Sequence, residues 1–431
     1  MNVTNRWQQK LYFFSFVAVL FTTLFSWFNV NSLCIMLLVL SRLLYKPRTS
    51  IRAAFSDRVF LTFFIFCVIE AAGYLHTHNF ADQGKTISKE ATLVAISFAF
   101  CSGDILQRRS YLQFLLWYHL LLTLACLFCL GMALAEFLHT SDTSVFFYHS
   151  LTRPISQNAV FFSVFVVFGL LFLLSPDSEP VGFRPKRWRL LRALLVAFFL
   201  GMIVLLNSKL MLIIAVLIVI HGMMRRYSYR ENKRIFFISG AVLIAAVSIL
   251  ALTDNPISAR YRDMAGDLAL ARQKEYTPNT YFDALQLRLL EWRFGIEILQ
   301  EHKAWLFGVS PGDSQDLLDQ KYVRTNMYIG NPADGPNRHI RGFLGYNFHN
   351  QYLETFVRSG LLGLAALLAI FIAMFAAARR KGSREAWLVI LTIAVFFVPE
   401  APLTMQHGVF LFCFFPLLAL KAPGSGIRSA E

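Results

Sequence analysis

The stretch that decides the fold is residues 349–381, which read HNQYLETFVRSGLLGLAALLAIFIAMFAAARRK. It begins with polar side chains, continues as a long apolar run and ends in adjacent cations. About 20 apolar residues form an α-helix long enough to cross a hydrocarbon layer roughly 30 Å thick. Because backbone polar groups cannot stay unpaired in lipid, such a run must be helical. The stretch therefore predicts a membrane-spanning helix over residues 349–377, with His349 at the membrane surface.

Similar apolar runs recur along the whole chain. Of its 431 residues, 56% are hydrophobic, only 16% are charged and 43 are phenylalanine. A soluble core could not bury that much apolar surface. The runs predict an all-α fold, a polytopic helical membrane protein with about 12 transmembrane helices. The predicted spans are 11–28, 31–45, 59–75, 91–106, 111–136, 159–175, 190–206, 210–222, 235–252, 349–377, 386–400 and 408–421.

The distribution of the cations predicts the topology. A net charge of +15 is compatible with a nucleic-acid partner, but Lys and Arg cluster in the short connectors between apolar runs, which argues against one. Among the short connectors, one side carries 24 Lys and Arg and the other side four. Cations accumulate on the cytoplasmic side of membrane proteins and interact there with anionic lipids. Both termini are therefore predicted to be cytoplasmic, and membrane lipids are expected partners.

One connector is far longer than the others. Residues 253–348 contain 11 Lys and Arg against 12 Asp and Glu, and this topology places them on the outer side. The chain is thus predicted to consist of transmembrane helices 1–9 (residues 1–252), a large periplasmic loop (253–348), and helices 10–12 with a cytoplasmic tail (349–431). Loops of this length are commonly functional.

Two helices are predicted within this loop. In residues 281–303, apolar side chains recur at three- and four-residue spacing, which indicates an amphipathic helix. Its predicted apolar stripe consists of Leu285, Leu289, Trp292, Ile296 and Leu299. The turn residues Pro311-Gly312 follow, and a second short helix is predicted from Asp313 to Lys321.

Three side chains are predicted to meet at the outer face. Lys209 occupies a tight turn between two spans, Arg288 lies on the loop helix, and His349 begins the tenth span. Arg binds phosphate oxygens through its planar fork and Lys binds them as a point charge. A histidine can take a proton from a hydroxyl near neutral pH. The set indicates a site for a diphosphate leaving group and a hydroxyl nucleophile.

Each of these positions also has a structural interpretation. Lys209 can anchor its helix by reaching to the interface. Arg288 is three residues before Glu291 and four before Trp292, so an ion pair or a cation–π contact within the helix competes with a substrate role. Asn350, next to the histidine, can cap the tenth helix. Spacing alone leaves these alternatives open.

Four motifs follow one another in the second half of the chain. They are Leu287-Arg288-x-x-x-Trp292, Leu306-Phe307-Gly308-Val309-x-x-Gly312-Asp313, His349-Asn350-Gln351-Tyr352-Leu353 and Gly360-Leu361-Leu362-Gly363. In this order and on this side of the membrane, they resemble the motifs of the bacterial O-antigen ligase and O-antigen polymerase superfamily. The resemblance covers roughly residues 200–420 and is strongest between 285 and 365.

The resemblance implies a metal-independent, inverting membrane glycosyltransferase that needs no cofactor. Such an enzyme moves a glycan from undecaprenyl diphosphate to an acceptor at the periplasmic face of the bacterial inner membrane. The resemblance implies catalytic roles for His349 and Arg288. At the hairpin, the family commonly has an arginine after a serine, where this chain has Ser208-Lys209. Lysine keeps the charge but loses the bidentate geometry.

Further side chains are expected to contribute to the site. Diphosphate binding is expected from Lys209, Arg288 and, more weakly, Arg153. Supporting roles are expected from residues within the motifs, namely Trp292, Asn350 and Asp313. Glu400 and His407 flank the last outer turn, where they either line the site or are solvated at the interface.

The preferred functional interpretation is an O-antigen ligase that uses a lipid A-core sugar hydroxyl as acceptor. The nearest alternative is a polymerase that joins two undecaprenyl-diphosphate-linked glycans and uses the same donor. One large outer loop favours the ligase. A lipid or glycan transporter is a further alternative, which would require ionisable residues deep in the spans and discontinuous helices in both halves.

Overall fold

The computed structural model describes residues 3–44, 47–103, 107–175, 185–226, 268–330 and 342–423. These residues form α-helices joined by turns and short 3-10 segments, and no β-strand occurs among them. The helices are α1 (Val3–Leu24), α2 (Phe28–Leu43), α3 (Pro47–Ser56), α4 (Arg58–Ala72), α5 (Phe80–Cys101), α6 (Arg108–Thr140), α7 (Tyr148–Thr152), α8 (Ala159–Leu174), α9 (Pro185–Leu206), α10 (Lys209–Arg226), α11 (Ala284–Glu301), α12 (Ser314–Arg324), α13 (Gln351–Lys381), α14 (Arg384–Phe396) and α15 (Gln406–Lys421). The predicted all-α class is confirmed.

Several of these helices are long and apolar enough to cross a membrane. Four qualify singly, at Arg58–Leu75, Arg108–Thr140, Arg187–Leu206 and Gln351–Lys381. Within the described ranges the number rises to six if each of two bent pairs is one span, Phe28–Leu43 with Pro47–Ser56 and Tyr148–Ile155 with Ala159–Leu174. Two shorter apolar helices cover Lys209–Met224 and Gln406–Lys421. The chain is a polytopic helical membrane protein, and the count of twelve spans stays a prediction. The predicted span at 235–252, with its boundary at residue 252, lies outside the described residues.

Two helices form the centre of the bundle. All residues of α8 are buried except Val160 and Leu174, and α15 is buried along nearly its whole length. A helix that is apolar on all sides belongs in the middle of a core. Phenylalanine fills much of the interior: the ring of Phe16 lies 4.7 Å from Phe100, 5.4 Å from Phe114 and 5.0 Å from Phe414. The first two of these contacts are edge-to-face, a favourable geometry for aromatic pairs.

Residues 268–330 and 342–348, named here the cap segment, have a separate hydrophobic core. Both predicted loop helices are confirmed there, as α11 and α12. A capping box starts α11, because Asp283 Oδ1 accepts from the amide of Gln286 (2.8 Å) and Gln286 Oε1 accepts from the amide of Asp283 (2.9 Å). The cap segment packs through α11 onto the first turns of α13.

The buried face of α11 is not the predicted stripe. Leu299 is buried as predicted, but Ile296 is 43% exposed. The fully buried apolar side chains of the helix include Leu290, Phe294 and Ile298. Both sets recur at helical spacing, so periodicity alone could not separate them. Helices α12 and α13 pack against the face of α11 that contains Leu290, Phe294 and Ile298. The same contacts bury the polar side chains on this face.

Helix α13 is broken at Gly360. Its φ of 62° and ψ of −159° belong to a region that is essentially restricted to glycine. The break frees backbone groups, and the cap segment pairs with them. Four backbone hydrogen bonds cross this joint, from Val309 N to Val357 O (2.9 Å), Ser310 N to Arg358 O (3.0 Å), Leu361 N to Trp305 O (2.8 Å) and Leu362 N to Leu306 O (3.3 Å). Because unpaired backbone groups are costly in lipid, the broken helix and the cap segment stabilise each other.

Two of the sequence motifs meet at this joint. Gly308 has a φ of 73°, and a Cβ there would overlap the backbone of Arg358 and Ser359. A Cβ on Gly360 would overlap the backbone of Leu306. The glycines are required because two backbone segments approach each other without space for a side chain. The motifs at 306–309 and 360–363 therefore position the cap segment.

Candidate functional site

His349 lies between the cap segment and the start of α13. Its φ of 44° is uncommon for a residue other than glycine. The amide of His349 donates to Asn347 Oδ1 (2.9 Å), and Asn350 Oδ1 accepts from the amide of Leu353 (3.0 Å). Asn350 is therefore the N-cap of α13, which confirms the capping interpretation for this residue. The turn directs the imidazole toward α11.

A buried carboxylate holds the imidazole ring. Glu291 is 0% exposed, and its Oε2 lies 2.7 Å from His349 Nδ1. Its Oε1 accepts a hydrogen bond from the hydroxyl of Tyr322 at 3.2 Å. When Nδ1 donates to the carboxylate, the Nε2 of a neutral ring keeps a free lone pair. The His349 side chain is 26% exposed, so the ring is only partly enclosed.

The contact shifts the pKa of both partners. Burial lowers the pKa of His349, but the hydrogen bond and the charge of Glu291 outweigh burial, and the pKa is raised above its ordinary value. Burial raises the pKa of Glu291, and the hydrogen bond and charge of His349 offset this effect only in part. A histidine with a raised pKa is a stronger base, and it is protonated up to a higher pH.

Arg288 lies in the same cluster. Its Nε donates to Pro399 O, its Nη1 donates to Ala284 O, and its Nη2 lies 3.0 Å from Glu400 Oε1. The charges of Arg288 and Glu400 both act on the pKa of His349, so the guanidinium, the carboxylate and the imidazole are neighbours. A guanidinium held at three points is a preorganised cation.

The connector between α14 and α15 completes this cluster. The amide of Gln351 donates to Phe397 O and Glu400 O, at 2.9 Å each. Gln351 Oε1 accepts from the amide of Leu403 at 2.7 Å. These bonds hold the connector around the N-terminus of α13, two residues beyond His349.

The ion pair considered within α11, between Arg288 and Glu291, is not the one that forms. Arg288 pairs with Glu400, and Glu291 pairs with His349. These partners are 112 and 58 residues apart in sequence. Periodicity could have indicated Glu291 only if the buried face of α11 had been predicted correctly. No local signal identifies its partner.

The contacts of the cluster do not include Lys209. This residue begins α10, directly after a turn in which Asn207 has a φ of 48°, and it is partly buried. Neither Arg288 nor His349 makes a hydrogen bond or ion pair with it in the described part of the chain. The structure therefore brings together two of the three predicted residues, and a role for Lys209 stays a prediction.

Arg153 is engaged elsewhere. It forms an ion pair with Glu136 at the end of α6, and its side chain is 66% exposed. This pairing gives no link to the cluster around His349. Diphosphate binding by Arg153 stays a prediction, and the ion pair with Glu136 does not favour it.

Asp313 ties the cap segment to the connector between α4 and α5. Its carboxylate accepts from the amides of His78 (3.0 Å) and Asn79 (2.8 Å) and from the hydroxyl of Thr77 (3.2 Å). Burial raises the pKa of Asp313, but the bonds from His78 and Asn79 outweigh burial and lower it. Asp313 has no contact with His349 or Arg288 among the described residues, so any support that it gives to the site is indirect.

Trp292 and His407 differ in their relation to the cluster. Trp292 follows Glu291 on α11 and is partly buried, and its Nε1 has no hydrogen-bond partner among the described residues. His407 is buried, with its ring 4.5 Å from that of Phe161 and 5.8 Å from that of Phe28. His407 therefore belongs to the core, which corrects both interpretations considered for it, whereas Glu400 lines the site.

The cluster offers a base, a fixed cation and two carboxylates. A positioned imidazole can take a proton from a hydroxyl, and a preorganised cation can stabilise charge that develops on a leaving group. Within the described ranges, no three His, Cys, Asp or Glu side chains are grouped as metal ligands would be.

Comparison with known proteins finds a family match over the part of the chain that contains His349 and Arg288. A family model for O-antigen ligases matches residues 193–368, which include Lys209, Arg288, Glu291 and His349. The O-antigen ligase of Escherichia coli (strain K12) is 24% identical over 236 residues, which are 53% of this chain and 48% of that protein. The chain thus spans about half the length of the curated relative that it matches. The motifs that build the cluster therefore lie in the part of the chain that is similar to O-antigen ligases.

Proposed function

We propose that this protein is an O-antigen ligase, which transfers a glycan from undecaprenyl diphosphate to a sugar hydroxyl of lipid A-core. The observation that carries this proposal is the His349 ring, held at Nδ1 by buried Glu291 beside the fixed guanidinium of Arg288. This arrangement suits attack by a hydroxyl on a carbon whose leaving group is a diphosphate.

In the proposed step, Nε2 of His349 takes the proton of the acceptor hydroxyl. The hydroxyl oxygen forms a bond to the anomeric carbon, while the bond from that carbon to the diphosphate oxygen breaks. The electron pair of the broken bond remains on the diphosphate, where Arg288 stabilises the charge. Attack from the face opposite the leaving group inverts the configuration. The step needs neither a metal nor a cofactor.

The helix lengths support a site at the membrane surface. Counting about 20 residues back from the cations at the end of α13 spans the hydrocarbon layer and reaches Gly360. The turns of α13 before Gly360 then stand at the boundary with water, where a lipid-linked diphosphate would lie. With the charge asymmetry of the connectors, this supports an inner-membrane protein with cytoplasmic termini and a periplasmic site.

Transfer by the purified protein tests the proposal. The protein is incubated with a defined undecaprenyl-diphosphate glycan and with lipid A-core, with a second donor molecule, or with neither, and a chelator is present in a parallel set. We expect glycan on lipid A-core, with an inverted anomeric carbon and an unchanged rate with chelator. Longer lipid-linked glycan from two donors would identify a polymerase instead. Transfer to neither acceptor would contradict the proposal.

In the proposed mechanism Glu291 is a positioning residue, and its charge is expected to set the pH dependence. Glu291→Gln keeps an acceptor for Nδ1 but removes the charge that raises the pKa of His349. His349 acts as a base only when it is neutral, so activity is lost as pH falls through its pKa. The variant should therefore show its acid limb of kcat/KM at lower pH, with a plateau lowered about tenfold. Glu297→Gln on the same helix is the matched control. An unshifted limb in Glu291→Gln would contradict the positioning role.

Arg288→Lys tests whether the guanidinium geometry matters. Lysine keeps the charge, but its ammonium group lacks the fixed planar array of N–H groups with which Arg288 bonds Ala284, Pro399 and Glu400 and still has N–H groups left for a diphosphate. We expect kcat to fall about 10²-fold. Arg324→Lys, on the exposed face of α12, should leave kcat unchanged. If Arg288→Lys were as active as that control, the guanidinium would have no part in stabilising the leaving group.

A further inference from the structure

A cleft lies at the end of the helix bundle that is remote from His349. It has a volume of about 530 Å³. It is lined by the start of α4 and by the ends of α13 and α15, with Ser56, Asp57, Arg58, Val59, Ala377, Arg380, Lys381, Leu417, Leu420 and Lys421 as lining residues. The opposite ends of α4 and α13 contact the cap segment. The length of α4 and α13 therefore separates this cleft from the candidate active site.

Four cations and one carboxylate surround the cleft. Lys421 is paired with Asp57 at 2.6 Å, and Lys381 donates to Leu420 O at 2.7 Å. Arg58 and Arg380 are both exposed, and neither makes a hydrogen bond or an ion pair within the described part of the chain. The cleft therefore presents two guanidinium groups whose bonding capacity is unused.

The positions of these cations are not explained by helix stability. Arg380 near the C-terminus of α13 is favourable to the helix dipole, but Arg58 is the first residue of α4, where a cation opposes the dipole. Asp57 already caps that helix by accepting from the amide of Val59 at 2.9 Å. An anion bound in the cleft would relieve the unfavourable position of Arg58.

Nor does membrane topology alone explain the arrangement. The cytoplasmic bias of Lys and Arg requires cations in the connectors, but it does not require them to converge. Here Arg58 lies at the same cleft as Arg380, about 320 positions later in the sequence, and Asp57 pairs with Lys421, about 360 positions later. Apart from Ser56, its remaining lining is apolar, from Val59, Ala377, Leu417 and Leu420. A cleft with a cationic rim and an apolar wall matches a molecule with an anionic head and a hydrocarbon tail.

We propose that this cleft binds the phosphate headgroup of an anionic membrane lipid. Arg58 and Arg380 bond the phosphate oxygens through their planar forks, and Lys381 adds a point charge. The upper part of an acyl chain lies against Ala377, which is the partly exposed apolar residue of the lining. Basic pockets between transmembrane helices are known to take anionic headgroups. The proposal does not depend on the proposed function.

Bound lipid is expected to hold the ends of three helices together. A ligand that binds only the folded protein stabilises it by an amount that grows with the logarithm of its free concentration relative to its dissociation constant. Because α4 packs along α13, which also carries the joint at Gly360, the lipid would stabilise the helix pair that supports the cap segment. Phosphatidylglycerol should therefore raise the thermal midpoint of unfolding, and phosphatidylcholine should not.

The test compares the intact protein with the double variant Arg58→Gln/Arg380→Gln. The matched control is Arg52→Gln/Arg384→Gln, which removes the same charge from neighbouring exposed positions that do not line the cleft. Native mass spectrometry counts the phosphatidylglycerol retained, and unfolding is followed with phosphatidylglycerol, phosphatidylcholine or glycerol phosphate. We expect the first double variant to bind phosphatidylglycerol about tenfold more weakly and to lose the rise in midpoint. The control should keep both.

Two results would overturn the proposal. Equal losses in the two double variants would show that net charge, not the cleft, holds the lipid. An equal rise with glycerol phosphate would identify a soluble phosphate as the ligand instead of a lipid. If the double variant folds poorly, the single variant Arg380→Gln, compared with Arg384→Gln, provides the same comparison by mass spectrometry.

Discussion

Replacing His349 by Ala should lower the rate of glycan transfer by about 10²–10⁴-fold, the usual contribution of a positioned general base. The variant loses the imidazole that serves as base in the proposed step and whose Nδ1 is held at 2.7 Å by Glu291. Donor binding should change little, because Arg288 keeps its bonds to Pro399 and Glu400. Initial rates over a range of donor concentrations would show this as a loss in kcat with a nearly constant KM.

The truncation also leaves the buried carboxylate of Glu291 without its partner, so folding must be checked separately. The double variant His349→Gln/Glu291→Gln keeps a polar pair at the site and should be equally inactive. His302→Ala, at the exposed end of α11, is the control for loss of an imidazole and should retain full activity. Transfer by a well-folded His349→Ala at near the normal rate would remove the histidine from the mechanism.

The second large effect is expected at Gly360, where Ala should destabilise the joint between α13 and the cap segment. The backbone conformation at Gly360 costs about 1–3 kcal/mol for any other residue. The added methyl would overlap the backbone of Leu306, and forced displacement of this kind costs about 1–3 kcal/mol more. We expect the free energy of unfolding to fall by about 2–6 kcal/mol, with faster proteolysis of the cap segment and loss of transfer.

Gly382 provides the matched control, since it has a φ of 65° but nothing within 4 Å of a Cβ. Gly382→Ala should cost only about 1–2 kcal/mol for the left-handed conformation. Thermal unfolding and limited proteolysis of both variants measure the difference. Similar losses in the two would mean that the close approach of the backbones at Gly360 has no energetic role.

The two predictions are connected by the path of the chain through the site. The joint at Gly360 holds the segment that leads from α11 to Val309 against α13. That contact keeps Glu291 of α11 near His349, which precedes α13. Weakening the joint should therefore loosen the contact between Glu291 and His349, even though Gly360 does not touch either residue.

Local features of the sequence were sufficient for the helices and for several of their ends. The apolar run before Arg379 predicted the span that α13 provides. The two helices predicted in the loop correspond to α11 and α12. The reason is that a helix in lipid satisfies its backbone within itself, so a window of about 20 residues contains the relevant information. The motif residues His349 and Arg288, which the structure brings into one cluster, were predicted as site residues because their types suit the chemistry.

Local features failed where a choice depended on the rest of the fold. The buried face of α11 was predicted as the stripe that includes Ile296, but the packing of α12 selected the face that includes Phe294. The motif that contains Asp313 predicted a supporting role in the site, and local features did not indicate its bonds to the connector at residues 77–79.

By itself the sequence determined that this protein is a bundle of apolar helices with a polar segment over one end, because helix formation and lipid solubility are local properties. Only the tertiary structure decided that Glu291 pairs with His349 and Arg288 with Glu400. Charges select partners by distance and by shared burial, and those depend on where segments 58 and 112 residues apart come to lie.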